Sequence, residues 1–398
     1  MTGLTLGRIF GTEVRVHWTW IPILAFIAVV FGVDLTDGTA AMWPAGLAWG
    51  SSIAVAALVL ASVMAHELAH VKVARRNGRQ VPVVVVQLLG GPYVMEVKPK
   101  TAGEEFRIAI AGSALSLVVA IVAGALAVAL SFGPVSIDQA PAAVQAVQFV
   151  AVMVAVFNLM LCLVNLVPGY PLDGARAFHA LVWQRTGKEE AATAATIRVG
   201  RYLGLLLIGS AVVSLAFVDL LVGLCLLVAG WLMVGSSRLM DKRSLLRGLV
   251  AGLHVSDAED ADPARVPPQL TLDVFAGEYL ADRLGAAALV ERGSELLGLI
   301  GTAQIRRIPR RIWPKTRTED AMVKIEDVPS MTGDADLWAG LETLERSGLD
   351  ALVVAAAGPG TLLMTRRSAA RIVHEKAEER QRELIALGKV RRGRFRGR

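Results

Sequence analysis

The chain has 398 residues, 54% of them hydrophobic, with a formal net charge of +6 and two cysteines. Cys162 and Cys225 both fall inside apolar runs, which excludes a disulfide framework and a cysteine-based metal site. The positive charge gathers in loops and a basic tail, a pattern of membrane orientation and not of nucleic-acid binding.

Apolar runs dominate up to about residue 240, and the remainder is charge-rich. The expected organisation is a membrane domain over 1–240, a soluble module over 245–375 and a basic tail over 376–398. The opening segment MTGLTLGRIFGTEVRVHW lacks the basic, apolar, small-residue order of a cleavable signal peptide. Six spans follow, over 18–34, 45–72, 106–131, 146–168, 200–217 and 219–238. His17, Trp18 and Trp20 open the first and read as an aromatic belt at headgroup level.

The second span carries the first chemical motif. Gly46 to Ala65 has no charged side chain and is long enough to cross a bilayer core. It runs directly into His66-Glu67-Leu68-Ala69-His70. Residues four apart share a helix face, so both imidazoles can grip one metal ion while Glu67 stands beside it. This H-E-x-x-H pattern is that of a zinc hydrolase with a glutamate general base. The expected reaction is hydrolysis of a peptide bond at or within a membrane, with Glu67 taking the proton of the attacking water. Ionisable residues at the end of an apolar span are costly, and function is their usual reason.

Between the second and third spans, VPVVVVQLLGGPYVMEVKP (81–99) is β-branched with a Gly90-Gly91 turn signal. It reads as a small membrane-associated β-hairpin. An open strand edge there would hold an unwound substrate segment, or the hairpin is structural only.

A catalytic zinc usually has three protein ligands. The fourth span ends in Asn165-Leu-Val-Pro168-Gly-Tyr-Pro171-Leu-Asp173-Gly174, where two prolines and two glycines break the helix. Asp173 is the candidate third ligand, at similar membrane depth to the histidines. His179 is a rival, although it lies past the proline break. The fifth and sixth spans form one apolar run interrupted at Asp219. The loops at 35–44, 132–145 and near 218 have no Lys or Arg, whereas basic residues mark the opposite side. The positive-inside rule therefore puts both termini and the C-terminal module in the cytoplasm of a multi-pass cell-membrane protein.

HELAH followed by N-x-x-P-x-x-x-L-D-G resembles the site-2 protease family of intramembrane zinc metalloproteases, over roughly residues 5–240. The resemblance implies one zinc per chain held by His66, His70 and Asp173, with Glu67 as catalytic base. It also implies that Asn165 holds the substrate or the developing oxyanion; a capping or interhelical bond is the plainer role for that amide. One departure is Ala111-Gly112-Ser113, where relatives commonly have Gly-Pro. No effect on catalysis is expected from it.

Residues 245–375 contain two similar units in which a helix, two strands and a second helix recur. They resemble a tandem CBS-domain pair, which implies an α/β module that binds an adenosine nucleotide, forms a homodimer, or both. Ribose-binding repeats usually carry Ser or Thr with Asp three residues later, but here the pairs are Thr302 with Ile305 and Thr365 with Ser368. A dimerising, regulatory module without ligand is the favoured expectation. His254 and His374 have ordinary surface or packing roles. Arg306, Arg307, Arg310, Arg311, Lys315 and Arg317 around Trp313 form a basic linker, matched by the basic tail.

The fold expected is a polytopic α-helical membrane protein of six transmembrane helices with a small β-hairpin, followed by a tandem CBS-type module. The function expected is regulated intramembrane proteolysis of membrane-anchored regulatory proteins. A CBS-regulated transporter or channel is the alternative, and a non-catalytic scaffold a third. A transporter would scatter polar residues along several spans, whereas here they cluster at two motifs.

Overall fold

The computed structural model describes residues 3–37, 43–87, 99–132, 139–260, 262–280, 286–355 and 362–386. The chain divides into two compact units, Met1–Asp241 and Lys242–Arg398.

The first unit opens with a hairpin of β1 (Leu4–Ile9) and β2 (Thr12–Val16), then helices α1 (Trp20–Asp37) and α2 (Ala45–Arg76). Strand β3 (Val83–Val86) returns beside β2 in parallel, so the sheet order is β1-β2-β3. The two helices are the crossover that a parallel pairing requires. β3 lies inside the segment expected to form a hairpin, and the Gly90-Gly91 turn of that hairpin lies outside the described residues. The alternating valines Val14, Val16, Val84 and Val86 form one cluster with Val71 and Ala74 of α2. This packing seats the sheet on the C-terminal end of α2, next to its histidines.

Helices α3 (Ala102–Ser131), α4 (Ala142–Asn165), α5 (Asp173–Thr186), α6 (Glu189–Phe217) and α7 (Leu220–Leu249) complete the unit. Among the described residues five helices, α2, α3, α4, α6 and α7, are long and apolar enough to cross a membrane. The first expected span is α1, shorter at 18 residues. At 1.5 Å per residue it reaches about 27 Å, close to the thickness of a hydrocarbon core. Only 22% of the most apolar stretch of α3 is buried against protein, so the rest of its side chains suit lipid. The α6–α7 turn falls at Asp219, whose carboxylate accepts from the Val222 amide at 2.9 Å and caps the new helix.

Polar contacts tie α2, α3 and α5 together at the end that carries the motifs. Thr101 caps α3 by accepting from the Glu104 amide at 3.2 Å. Buried Glu104 in turn accepts from Arg79 Nη2 at 2.7 Å and from the Lys100 amide at 2.9 Å. Its neighbour Glu105 faces His179 of α5 at 3.0 Å.

The second unit has two four-stranded sheets and a visible internal repeat. One sheet orders β5 (Ala264–Val266), β6 (Ala287–Arg292), β7 (Glu295–Gly301) and β8 (Val323–Lys324). The other orders β4 (Glu259–Asp260), β11 (Leu362–Thr365), β10 (Ala351–Ala355) and β9 (Ser330–Thr332). In each repeat a short strand pairs in parallel with the next strand, which then pairs antiparallel with its successor. The connecting helices are α8 (Leu272–Tyr279) and α11 (Leu337–Ser347), and the closing ones α9 (Thr302–Ile305) and α12 (Arg366–Ala386). The short α10 (Thr318–Ala321) precedes β8. β4 precedes the first repeat yet completes the sheet of the second, and β8, which precedes the second, completes that of the first. The repeats are therefore interlocked by exchanged edges, over a shared core that includes Leu289, Leu299, Ala351 and Leu363.

Candidate metal centre

His66 and His70 lie one turn apart on α2 and are buried, with 3% and 1% exposure. Their Nε2 atoms are 3.3 Å apart, and each is 3.0 Å from the same oxygen, Oδ2 of Asp173. These three residues form the one group of metal-ligating side chains of this kind among the described residues. Asp173 reaches them because Pro168 and Pro171 end α4 and restart the chain as α5 with Asp173 as its first residue. The Tyr170–Pro171 peptide is cis. A Cβ on Gly174 would run into the backbone of Leu166 and Val167, so only glycine lets this loop fold so tightly on itself.

Helix α3 supplies the rest of the site from one face. Ile108, Gly112 and Ser116 are spaced by four residues and so fall on a single stripe. The Ile108 carbonyl oxygen lies 2.7 Å from His70 Nδ1, and Ser116 Oγ lies 3.0 Å from His66 Nδ1. Between them, a Cβ on Gly112 would fall 2.6 Å from His66 Nε2 and closer still to His70 Nε2. Glycine therefore keeps open the space onto which both nitrogens face. Sequence reading missed this stripe, having noted Gly112-Ser113 only for its missing proline. The available signal was a serine four residues after a glycine in an otherwise apolar span.

The remaining histidines lie apart from this centre. His179 is engaged by Glu105 and by Thr193 Oγ1 at 3.1 Å, so the rival ligand has other partners. His17 pairs with Thr19 at 3.0 Å beside Trp18. His254 and His374 are exposed, with Asp257 and Glu378 as neighbours. Asn165, the last residue of α4, donates its amide to the Leu161 carbonyl at 2.9 Å. Glu67 is buried next to His66, and no hydrogen bond or ion pair engages it among the described residues. Outside the spans, burial and the Glu105 charge push the Tyr170 phenol up to about 12, keeping it neutral. Burial pulls the Arg176 guanidinium down to about 10, which leaves it charged at neutral pH.

A helical membrane unit with two buried histidines and a part-buried aspartate brought together defines the class: a membrane protein with side chains that could hold a metal ion. The family model "Peptidase family M50" matches residues 54–132 and 128–207, which include both motifs. The Mycobacterium tuberculosis protein named "Putative zinc metalloprotease Rip3" is 34% identical over 346 residues, covering 87% of this chain and 86% of its own. The chain belongs to peptidase family M50. Among solved structures, the site-2 protease from Methanocaldococcus jannaschii aligns with a TM-score of 0.40 and 23% identity, covering 60% of this chain and 95% of that one. A bacterial CNNM/CorC Mg2+ transporter CBS domain aligns with a TM-score of 0.27 and 13% identity, covering 33% of this chain and 83% of that domain.

Proposed function

We propose that the chain is an intramembrane zinc endopeptidase that cleaves transmembrane segments of membrane-anchored regulatory proteins. His66, His70 and Asp173 hold the metal and Glu67 is the general base. The spacing of the three donor atoms carries this reading. Tetrahedral zinc with bonds of about 2.0–2.1 Å sets its ligand atoms about 3.3 Å apart, and the separations here are 3.0, 3.0 and 3.3 Å. Two imidazole nitrogens and a carboxylate oxygen all present lone pairs to one point. A cation at that point would relieve their mutual repulsion.

Zinc, when bound, supplies a Lewis acid and water acidic enough to react near neutral pH. Glu67 follows His66 directly on α2, and its carboxylate takes the proton from the attacking water and passes it to the leaving amine. Asn165 lies eight residues before Asp173 in the chain, and its amide turns from Leu161 to the developing oxyanion. A peptide bond within a helix is shielded, so the substrate unwinds and adds as a strand near β3, which packs against the histidine-bearing end of α2. By the loop charges, both termini and the second unit are cytoplasmic.

The second unit acts as a CBS-type regulatory module and homodimer contact. Its cavity of about 370 Å3, lined by Asp260, Phe275, Tyr279, Arg367 and Arg371 among others, has the size of a small-ligand site. The Ser368 hydroxyl, however, is committed to the Ala258 carbonyl at 2.6 Å, which favours dimerisation over ribose binding of an adenosine nucleotide.

The test is the metal content of the purified chain in detergent and its cleavage of a transmembrane peptide, beside Glu67→Gln. We expect about one zinc per chain in both proteins and cleavage by the unaltered chain alone, with the variant's rate down by about 10²–10⁴. Absence of zinc from both overturns the reading.

A further inference from the structure

We propose that Ser116 is a positioning residue for the metal centre: its hydroxyl selects the tautomer and ring orientation of His66 that presents Nε2 to the metal. The inference rests on the zinc reading above but concerns a residue outside the two motifs. A neutral imidazole carries one proton, and the partner of one nitrogen decides what the other can do.

The two histidines are held by chemically different partners. His70 Nδ1 faces the Ile108 carbonyl oxygen at 2.7 Å. A carbonyl can only accept, so Nδ1 must carry the proton and Nε2 the lone pair. His66 Nδ1 faces Ser116 Oγ at 3.0 Å, and a hydroxyl can either accept or donate. The Gly112 backbone also interacts with the His66 ring, but Ser116 is the side-chain partner on Nδ1, so His66 is the ligand whose tautomer is open to mutation. With Nδ1–H donating to Ser116 Oγ, Nε2 is left bare, 3.0 Å from Asp173 Oδ2 and 3.3 Å from His70 Nε2. Ser116 is 1% exposed, so water cannot stand in for the lost hydroxyl without opening the packing.

The adjacent serine offers a control. Ser113 is also 1% exposed on α3, and its hydroxyl has no hydrogen-bond partner among the described residues. Its loss should leave the metal unaffected if only Ser116 positions a ligand.

The experiment compares Ser116→Thr with Ser116→Val in the full chain in detergent. The two side chains have the same shape and differ only in the hydroxyl, so any cost of bulk is common to both. Zinc affinity is read by competition with a chromogenic chelator, and the visible absorption of the cobalt-loaded protein reports ligand geometry. We expect zinc to bind about 10–100-fold more weakly in Ser116→Val than in Ser116→Thr. The cobalt band should move in the valine variant only, and Ser113→Ala should match the unaltered chain in both readouts. Equal zinc affinity in the threonine and valine variants overturns the proposal, as does a Ser113→Ala loss as large as that of Ser116→Val. If the unaltered chain binds no zinc, the metal reading itself fails, and the outcomes are thereby distinguished.

Discussion

The Ile108 carbonyl oxygen accepts a hydrogen bond from His70 Nδ1 at 2.7 Å, so the backbone of α3 decides which nitrogen of an α2 histidine faces the metal position. Carbonyl oxygens within an apolar helix are normally spent on the helix itself. A second acceptance by the same oxygen places a buried imidazole without adding another side chain.

The same stripe makes Gly112 intolerant of any side chain. Gly112→Ala puts a methyl group among both Nε2 atoms. Overpacking typically costs about 1–3 kcal/mol, so the zinc dissociation constant should rise about ten- to a hundredfold. Equilibrium dialysis against a zinc buffer measures it, with circular dichroism confirming unchanged helix content.

Metal removal should be visible as lost stability, because the three proposed ligands come from α2 and α5. A ligand at a hundredfold its dissociation constant stabilises the native state by about 2.7 kcal/mol. Chelation should therefore lower Tm reversibly, and added zinc should restore it. In Asp173→Ala the zinc-dependent change in Tm should vanish.

Asn165 separates an oxyanion role from a capping role. If its amide stabilises the developing charge, Asn165→Ala should lower kcat by about 10²–10³ with zinc content unchanged. A kcat equal to that of the unaltered chain would leave the amide with only its 2.9 Å bond to the Leu161 carbonyl.

The buried Arg79–Glu104 pair joins the loop that follows α2 to the start of α3. Removing one partner strands the other charge, whereas removing both does not. Arg79→Met and Glu104→Leu should each lower Tm, and the double variant should recover part of the loss. Equal, additive losses in thermal melts would show that the two charges act independently.

Much of the site was legible because its parts are local. An i, i+4 histidine pair needs only helical geometry, and the break at Pro168 and Pro171 needs only the chemistry of proline. The five longest apolar runs became spanning helices for the same reason, since backbone groups in lipid must be satisfied within their own segment. The internal repeat of the second unit likewise showed in its recurring order of helix and strand. The parallel pairing of β3 with β2 was not legible, because a valine run such as Val83–Val86 carries no record of its partner. Nor was the exchange of β4 and β8 between the repeats, where each strand has only two residues.

The sequence by itself determined the class of chemistry: two histidines and a glutamate on one helix, an aspartate after a forced break, and a bilayer-length apolar setting. Only the tertiary structure decided which face of α3 closes the centre. That helix is apolar nearly all round, so its periodicity distinguishes no side. Packing against α2 selects the stripe, and with it the Ile108 carbonyl, the gap at Gly112 and the Ser116 hydroxyl become parts of the site.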